Sequence, residues 1–83
     1  HQVEIDLIAC DGDDFIIGEC KWRNEKLDLS VLTELKEKAD IFNKKRKNTW
    51  FALFSKSGFT DAVIEEAKNT DKLILVDLQQ LTI

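Results

Sequence analysis

The stretch Val3–Arg23, VEIDLIACDGDDFIIGECKWR, decides the fold of this chain. Two apolar runs flank a turn rich in aspartate and glycine, which is the pattern of a β-hairpin. If the turn has two central residues, Gly12 and Asp13, then Asp11 faces Asp14 and each earlier residue faces its mirror partner. A four-residue loop gives the same pairing, whereas a three-residue loop would shift the register and move the acidic residues of the strands to opposite faces.

In the two-residue register, four charged side chains gather on one face of the hairpin. Asp6 lies opposite Glu19 and Glu4 lies opposite Lys21, and the alternation of side chains along strands puts all four on the same side. Adjacent carboxylates repel each other, so a cation is expected between them. Mg²⁺ takes one or two carboxylates and fills its other positions with water and phosphate oxygens. Because Lys21 would stabilise charge on a phosphate or hold a water molecule, the spacing indicates a metal-dependent hydrolytic site.

The alternative interpretation is a solvated hairpin face with an ion pair between Glu4 and Lys21, which is the usual role of charges on strands. Ile8, Phe15 and Ile17 fall on the same face as these charges. Their apolar character indicates that other structure covers part of the face. Spacing alone leaves both interpretations open.

The motifs EIDLIA at residues 4–9 and GECKWR at residues 18–23 resemble motifs II and III of the PD-(D/E)xK, or restriction-endonuclease-like, nuclease superfamily. With the helix that follows and FSKSGFT at residues 54–60, they most resemble one branch of it. This branch is the C-terminal nuclease-like domain, of unassigned function, attached to prokaryotic and especially archaeal AAA+ ATPases. The resemblance extends from Val3 to about Val76.

The resemblance implies a role for five residues. Asp6 and Glu19 would be the ligands of Mg²⁺ or Mn²⁺, and the backbone carbonyl of Cys20 would be a further ligand. Lys21 would be the catalytic lysine and Glu4 an accessory acid. The implied function is that of a DNA endonuclease domain, which hydrolyses phosphodiester bonds and is joined to an ATPase domain in the same longer chain.

One departure from the superfamily favours a different function. Its members usually begin with a helix and a first strand, and neither is present before Val3. The alternative is therefore a catalytically inactive nuclease-fold module that interacts with proteins or regulates the partner ATPase, with a homodimer as one arrangement. The opening His1-Gln2, directly in front of a strand, leads us to expect that residues 1–83 are one domain from the C-terminal part of a larger ATPase.

Composition limits the function further. The formal net charge of −4 argues against a generic DNA-coating protein but is compatible with a nuclease. No apolar run approaches the roughly 20 residues of a membrane span, and no signal peptide is apparent, so we expect a cytoplasmic protein with no membrane partner. Cys10 and Cys20 fall on opposite faces of the hairpin, so they are interpreted as reduced core residues.

A polar connection, residues 24–28, precedes a predicted helix from about Leu29 to Lys45, with Asp28 or Ser30 as its N-cap. Glu34 and Lys38 are expected to pair on its polar side. The residues expected to face the sheet are Val31, Leu32, Leu35, Ala39 and Phe42.

The last turns of this helix carry the basic run Lys44–Lys47. Charge–dipole complementarity and solubility explain such a run. The other interpretation is contact with the phosphate backbone, with Trp50 nearby.

The rest of the chain completes an α/β fold. TWFALF at residues 49–54 and LILVDL at residues 73–78 are apolar runs typical of strands covered on both faces, and a shorter helix from Asp61 to about Lys68, capped by Thr60, lies between them. The predicted fold is a restriction-endonuclease-like mixed sheet flanked by helices, in the order β-hairpin-α-β-α-β, without the usual N-terminal helix and strand. The turn at residues 55–58 is either structural or a phosphate contact.

Overall fold

The computed structural model describes residues 3–43 and 48–81, and it contains the predicted elements in the predicted order. A hairpin is followed by a helix, a strand, a second helix and a further strand, which form an α/β fold with a mixed four-stranded sheet. The elements are β1 (Val3–Asp11), β2 (Asp14–Trp22), α1 (Leu29–Asn43), β3 (Asn48–Ser55), α2 (Asp61–Lys68), β4 (Leu73–Asp77) and a 3-10 turn (Leu78–Leu81).

The hairpin has the register predicted from its turn. Asp11 pairs with Asp14, so the turn has two central residues and the pairing continues without a slip to the ends of both strands. Gly12 has a φ of +59°, in the left-handed region that this turn requires and that glycine adopts at little cost. The turn chemistry therefore fixes which side chains of β1 and β2 share a face.

The sheet order is β1-β2-β3-β4, with β1 antiparallel to β2 and the other neighbours parallel. Because β2, β3 and β4 lie side by side in chain order, the two crossover helices lie on the same face of the sheet, where they contact each other. The core lies between this face and the helices. It consists of Phe15, Ile17, Leu27, Val31, Leu32, Leu35, Ala39, Leu53, Phe59, Val63 and Leu73.

Helix α1 begins as one of the two predicted caps requires. The Asp28 carboxylate accepts a hydrogen bond from the backbone N–H of Ser30 at 3.0 Å, so Asp28 is the N-cap. The predicted apolar residues are buried as far as Ala39, but Phe42 is 51% exposed. The prediction for Phe42 is wrong because helical spacing shows which side faces the sheet and not how far the sheet extends beneath it.

The connection before α1 was predicted to be polar, yet it contains a core residue. The N–H of Leu27 donates to the carbonyl of Gly58, and the carbonyl of Leu27 accepts from the N–H of Thr60, both at 2.9 Å. These bonds hold Leu27 against the loop before α2, with its side chain fully buried. The connection is therefore fixed to the core beside the end of β2.

Helix α2 has the predicted bounds but not the predicted cap. Thr60 stands at the N-cap position with an extended backbone, and its side chain makes no capping hydrogen bond. Val63 is fully buried, whereas Ile64 is 38% exposed. This short helix at the edge of the sheet therefore buries fewer of its apolar residues than the sequence pattern predicted.

The face of the sheet opposite the helices carries several exposed apolar side chains. Leu7, Ile16, Trp22 and Ile74 lie on it and are 44–48% exposed. The prediction that strands are covered on both faces is therefore wrong for β4, whereas the β3 residues on this face, Trp50, Ala52 and Phe54, are half-buried or buried. An apolar run shows that both faces carry apolar side chains, and it does not show what lies against them. This surface is called the open face below.

Strand β1 is at the edge of the sheet, whereas α1 packs mainly on β2 and β3. Phe15 and Ile17 on β2 are buried as predicted, but Ile8 on β1 is exposed. Cys10 is also exposed and Cys20 is half-buried, both as free thiols, so the prediction of a core cysteine is wrong for Cys10. Hairpin pairing predicts the shared face but not the position of the helix above it.

No helix within residues 3–43 and 48–81 is long and apolar enough to cross a membrane. The basic run Lys44–Lys47, for which two interpretations were open, lies outside the described residues.

Candidate functional site

The hairpin brings the four predicted charged residues together on the helix-bearing face. Asp6 is paired with Glu19, and Glu4 is paired with Lys21. In a hairpin with a two-residue turn these two pairs are of the non-hydrogen-bonded kind, in which opposed side chains approach most closely. A fifth residue, Lys38 of α1, reaches the same place. These five side chains are called the carboxylate–lysine cluster.

Glu19 is the buried centre of the cluster, with only 1% of its surface exposed. Its Oε1 lies 3.4 Å from the ammonium of Lys21 and 3.4 Å from that of Lys38. Its Oε2 is buried and has no hydrogen-bond partner among the residues that the structure describes. A buried carboxylate oxygen without a partner is costly, so this atom is a candidate ligand for a cation or a water molecule.

Lys21 is 5% exposed and lies between two carboxylates of the hairpin. Its ammonium donates to Glu4 Oε1 at 2.5 Å. Burial alone would lower the pKa of Lys21, but the hydrogen bond to Glu4 and the charges of Glu19 and Glu4 outweigh it and raise the pKa. Lys21 is therefore a permanent cation at neutral pH, suited to stabilising negative charge and not to accepting a proton.

Lys38 was expected to pair with Glu34 on the polar side of α1, and it contacts the hairpin instead. Its ammonium lies 3.5 and 3.4 Å from the two carboxylate oxygens of Asp6 and 3.4 Å from Glu19 Oε1. Burial would lower the pKa of Lys38, but the charge of Glu19 and the hydrogen bond and charge of Asp6 raise it. One ammonium thus joins the two carboxylates that were predicted to share a metal ion.

The position of Lys38 in the sequence indicated that it could reach the site, although we predicted a pair with Glu34 instead. Lys38 follows Leu35 by three residues and immediately precedes Ala39, and both of these are buried. Residues three apart on a helix share a face. A lysine at the border of the apolar stripe above two strand carboxylates could therefore have been assigned to the site.

The cluster has a buried floor and an open rim. Glu19 and Lys21 form the floor beneath α1, whereas the side chains of Asp6 and Glu4 are about half exposed. The exposed rim gives a hydrated cation access to the carboxylate oxygens, and the buried floor strengthens the electrostatic interactions beneath it. The accessible carboxylate oxygens of Asp6 and Glu4 could bind a cation.

The ligand set is small. In the part of the chain that the structure describes, no group of three His, Cys, Asp or Glu side chains is arranged to bind a metal. Glu4 is paired with Lys21, which leaves Asp6 and Glu19 as carboxylates for one ion. The backbone carbonyl of Cys20, the third predicted ligand, lies within β2 opposite Ile5. Its role as a ligand stays a prediction.

The Ser-Lys-Ser-Gly turn after β3 has structural partners. The hydroxyl of Ser55 is buried, donates to the carbonyl of Gly58 at 2.8 Å and accepts from the N–H of Ser57 at 3.2 Å. The ammonium of Lys56 lies 5.5 Å from the centre of the Trp22 ring and donates to Asn24 Oδ1 at 3.1 Å. These contacts favour the structural interpretation of the turn.

Comparison of the chain with protein-family models, with curated proteins and with solved structures gives no match. The function has to be inferred from the cluster and its surroundings.

Proposed function

We propose that this domain is a metal-dependent DNA endonuclease of the PD-(D/E)xK type, acting in the cytoplasm as part of a larger ATPase. The observation that carries the proposal is the buried Glu19 carboxylate. One of its oxygens has no partner among the described residues, and the other shares an ammonium with the adjacent Asp6. Lys21 lies on the same face, as the resemblance to the superfamily requires.

The residues present fit a divalent cation. Asp6 and Glu19 supply hard oxygen ligands from facing positions of two strands, and both contact a single positive charge in this structure. Glu19 Oε2 has no hydrogen-bond partner among the described residues, so its lone pairs are available to a metal ion. Mg²⁺ needs only one or two protein carboxylates, so the small ligand set matches its preference. Mn²⁺ accepts the same ligands.

A bound Mg²⁺ or Mn²⁺ would supply Lewis acidity and a more acidic water molecule at the scissile phosphate. The chain's own groups have distinct tasks. Asp6 and Glu19 would hold the ion, and Lys21 would stabilise the negative charge that develops on the phosphate. Glu4 fixes the Lys21 ammonium through a direct ion pair, which limits its movement.

The proposal is tested by incubating supercoiled and linear DNA with the folded domain and with the full-length parent in Mn²⁺. Asp6→Asn, Glu19→Gln and Lys21→Met should each reduce cleavage by at least about 100-fold, since each removes an ion ligand or the adjacent cation. Asp61→Asn, at an exposed acidic residue in the first turn of α2, is the matched control and should cleave like the wild type. Cleavage that persists in all three site variants would contradict the proposal.

A second candidate function is that of an interaction module, and the open face favours it. Leu7, Ile16 and Phe54 surround a shallow hollow of about 270 Å³ above Gly18 and Ala52. Parallel sheets are normally covered on both faces, and contiguous exposed apolar surface marks interaction sites. We propose a second copy of this chain as the occupant, packed sheet against sheet.

Charge at the two ends of the open face sets the orientation of the pair. Asp11 and Asp14 lie at the turn end, whereas Lys56 lies over Trp22 at the other end. Two copies related by a twofold axis across the strands would place the acidic end of one against the basic end of the other. Four strands give a footprint on the order of 500 Å² per copy, so we expect a weak, concentration-dependent dimer.

Light scattering during gel filtration over a range of protein concentrations tests this candidate. The wild type should approach twice the monomer mass as concentration rises, and Ile16→Lys on the open face should remain monomeric. Ile41→Lys is the matched control, because Ile41 is 66% exposed on α1, away from the open face. A monomer at all concentrations, or a dimer that Ile16→Lys leaves intact, would rule out this pairing.

A further inference from the structure

We propose that the Lys38 ammonium occupies the position between Asp6 and Glu19 that a divalent cation would take. The ammonium holds Asp6 and Glu19 together while no metal is bound, and it leaves them when a divalent cation enters. This inference rests on the proposed function, and it adds that Lys38 regulates metal binding at the same site.

The position of the ammonium is the first argument. Lys38 Nζ contacts both oxygens of Asp6, at 3.5 and 3.4 Å, and Glu19 Oε1 at 3.4 Å. It therefore lies between the two carboxylates that the proposed function assigns to a metal. A divalent ion held by both residues would lie between the same two carboxylates, so the ion and the ammonium would compete for that position.

The looseness of these contacts is the second argument. Charge-assisted N–H···O bonds are typically about 2.7–2.9 Å long, and all three Lys38 contacts are longer. Lys21 is different, since its side chain is buried and it contacts Glu4 at 2.5 Å. Asp6 and Glu19 therefore bind the Lys38 ammonium weakly, whereas Glu4 binds the Lys21 ammonium firmly.

The route of departure is the third argument. The side chain of Lys38 is 36% exposed, whereas that of Lys21 is 6% exposed. Lys38 extends from α1 on a flexible four-carbon stem, so its ammonium can move into water while the stem keeps its contact with the helix surface. Exchange therefore requires a change of side-chain rotamer and no movement of the sheet.

Electrostatics makes the two occupants exclusive. With neither the Lys38 ammonium nor a metal ion between them, the facing carboxylates of Asp6 and Glu19 repel each other. With both a divalent ion and Lys38 in place, the two positive charges repel. The site therefore has two favourable states, one with the ammonium and one with the ion. The ammonium reduces the apparent metal affinity by the strength of its own interaction.

Calorimetric titration of Mn²⁺ into the folded domain tests the exchange. Lys38→Met keeps the apolar stem and removes the competing charge, so we expect Mn²⁺ to bind about fivefold more tightly than to the wild type, since a partly exposed ion pair contributes about that factor. Lys36→Met, at an exposed lysine on the same helix, is the matched control and should bind like the wild type. Thermal unfolding without metal supplies a second readout, in which Lys38→Met should unfold at a lower temperature than Lys36→Met.

The outcomes separate this inference from the proposed function. If the wild type binds Mn²⁺ and Lys38→Met binds no more tightly, the exchange is wrong and the metal site stands. If neither protein binds Mn²⁺ although both are folded, the proposed function is wrong and the exchange is wrong with it. Tighter binding by Lys38→Met alone, with Lys36→Met unchanged, supports both.

Discussion

Glu19 is the residue on which the functional interpretation depends. A carboxylate that is 1% exposed incurs a large desolvation cost, and the two ammonium groups beside it both approach the same oxygen. Apolar residues of similar size often stabilise a small domain as well as a buried ion pair does. The contacts of the described residues leave Oε2 without a partner, and a bound cation or a water molecule would supply one.

Glu4 gives a prediction about pH. The hydrogen bond from Lys21, followed by the charge of Lys21, lowers the pKa of Glu4 below 4.5. A lowered pKa in the folded state means that the stabilisation is present above about pH 4.5 and is lost as the pH falls through the lowered value. We expect the wild type to be more stable than Glu4→Gln at neutral pH and the difference to shrink in acid.

Urea unfolding followed by circular dichroism, from about pH 7 to about pH 3, measures this difference. A difference between the wild type and Glu4→Gln that stays constant over the whole range would show that the ion pair between Glu4 and Lys21 does not contribute to stability.

At the scale of single residues, the sequence predicted the hairpin pairs of the site but not the whole site. The turn chemistry around Gly12 was sufficient to place Asp6 opposite Glu19, because pairing in a hairpin follows from its turn. Lys38 comes from a helix far along the chain, and its contact depends on how α1 lies across the sheet. Local sequence patterns do not predict the angle at which α1 crosses the sheet. The position of Lys38 three residues after the buried Leu35 was the only indication of its contact.

At the scale of elements, periodicity predicted the order of helices and strands, but it did not predict the depth of burial. The last strand ends at Asp77 and not at the predicted Leu78, and the predicted helix end at Lys45 lies outside the described residues. Strand β1 has an apolar residue at position 8 on the helix-bearing face, yet Ile8 is exposed because α1 lies over β2 and β3. Helix caps show the same division. Asp28 makes its predicted bond, whereas Thr60 occupies the cap position without making one.

The placement of α1 has a functional consequence. Because α1 covers β2 more than β1, it buries Glu19 and leaves Asp6 at the rim. A single helix thus creates one buried and one accessible carboxylate from a symmetric pair in the hairpin. This asymmetry gives the site both a low-dielectric floor and an entrance.

At the scale of the whole molecule, the two faces of the sheet have different chemistry. One face carries both helices, the core and the carboxylate–lysine cluster. The other carries exposed apolar side chains on β1, β2 and β4. The sequence pattern could not distinguish the two faces, because successive residues of β3 point to opposite faces and are apolar on both. The proposed catalysis and the proposed pairing use opposite faces, so the two functions are compatible in one domain.

The measurement that tests the central claim most directly is calorimetric titration of Mn²⁺ into the wild type, Asp6→Asn and Glu19→Gln at low ionic strength. Circular dichroism should first show that all three are folded. We expect saturable binding by the wild type that disappears in both variants and persists in Asp61→Asn. No binding by the folded wild type, or binding that both site variants retain, would contradict the assignment of Asp6 and Glu19 as metal ligands.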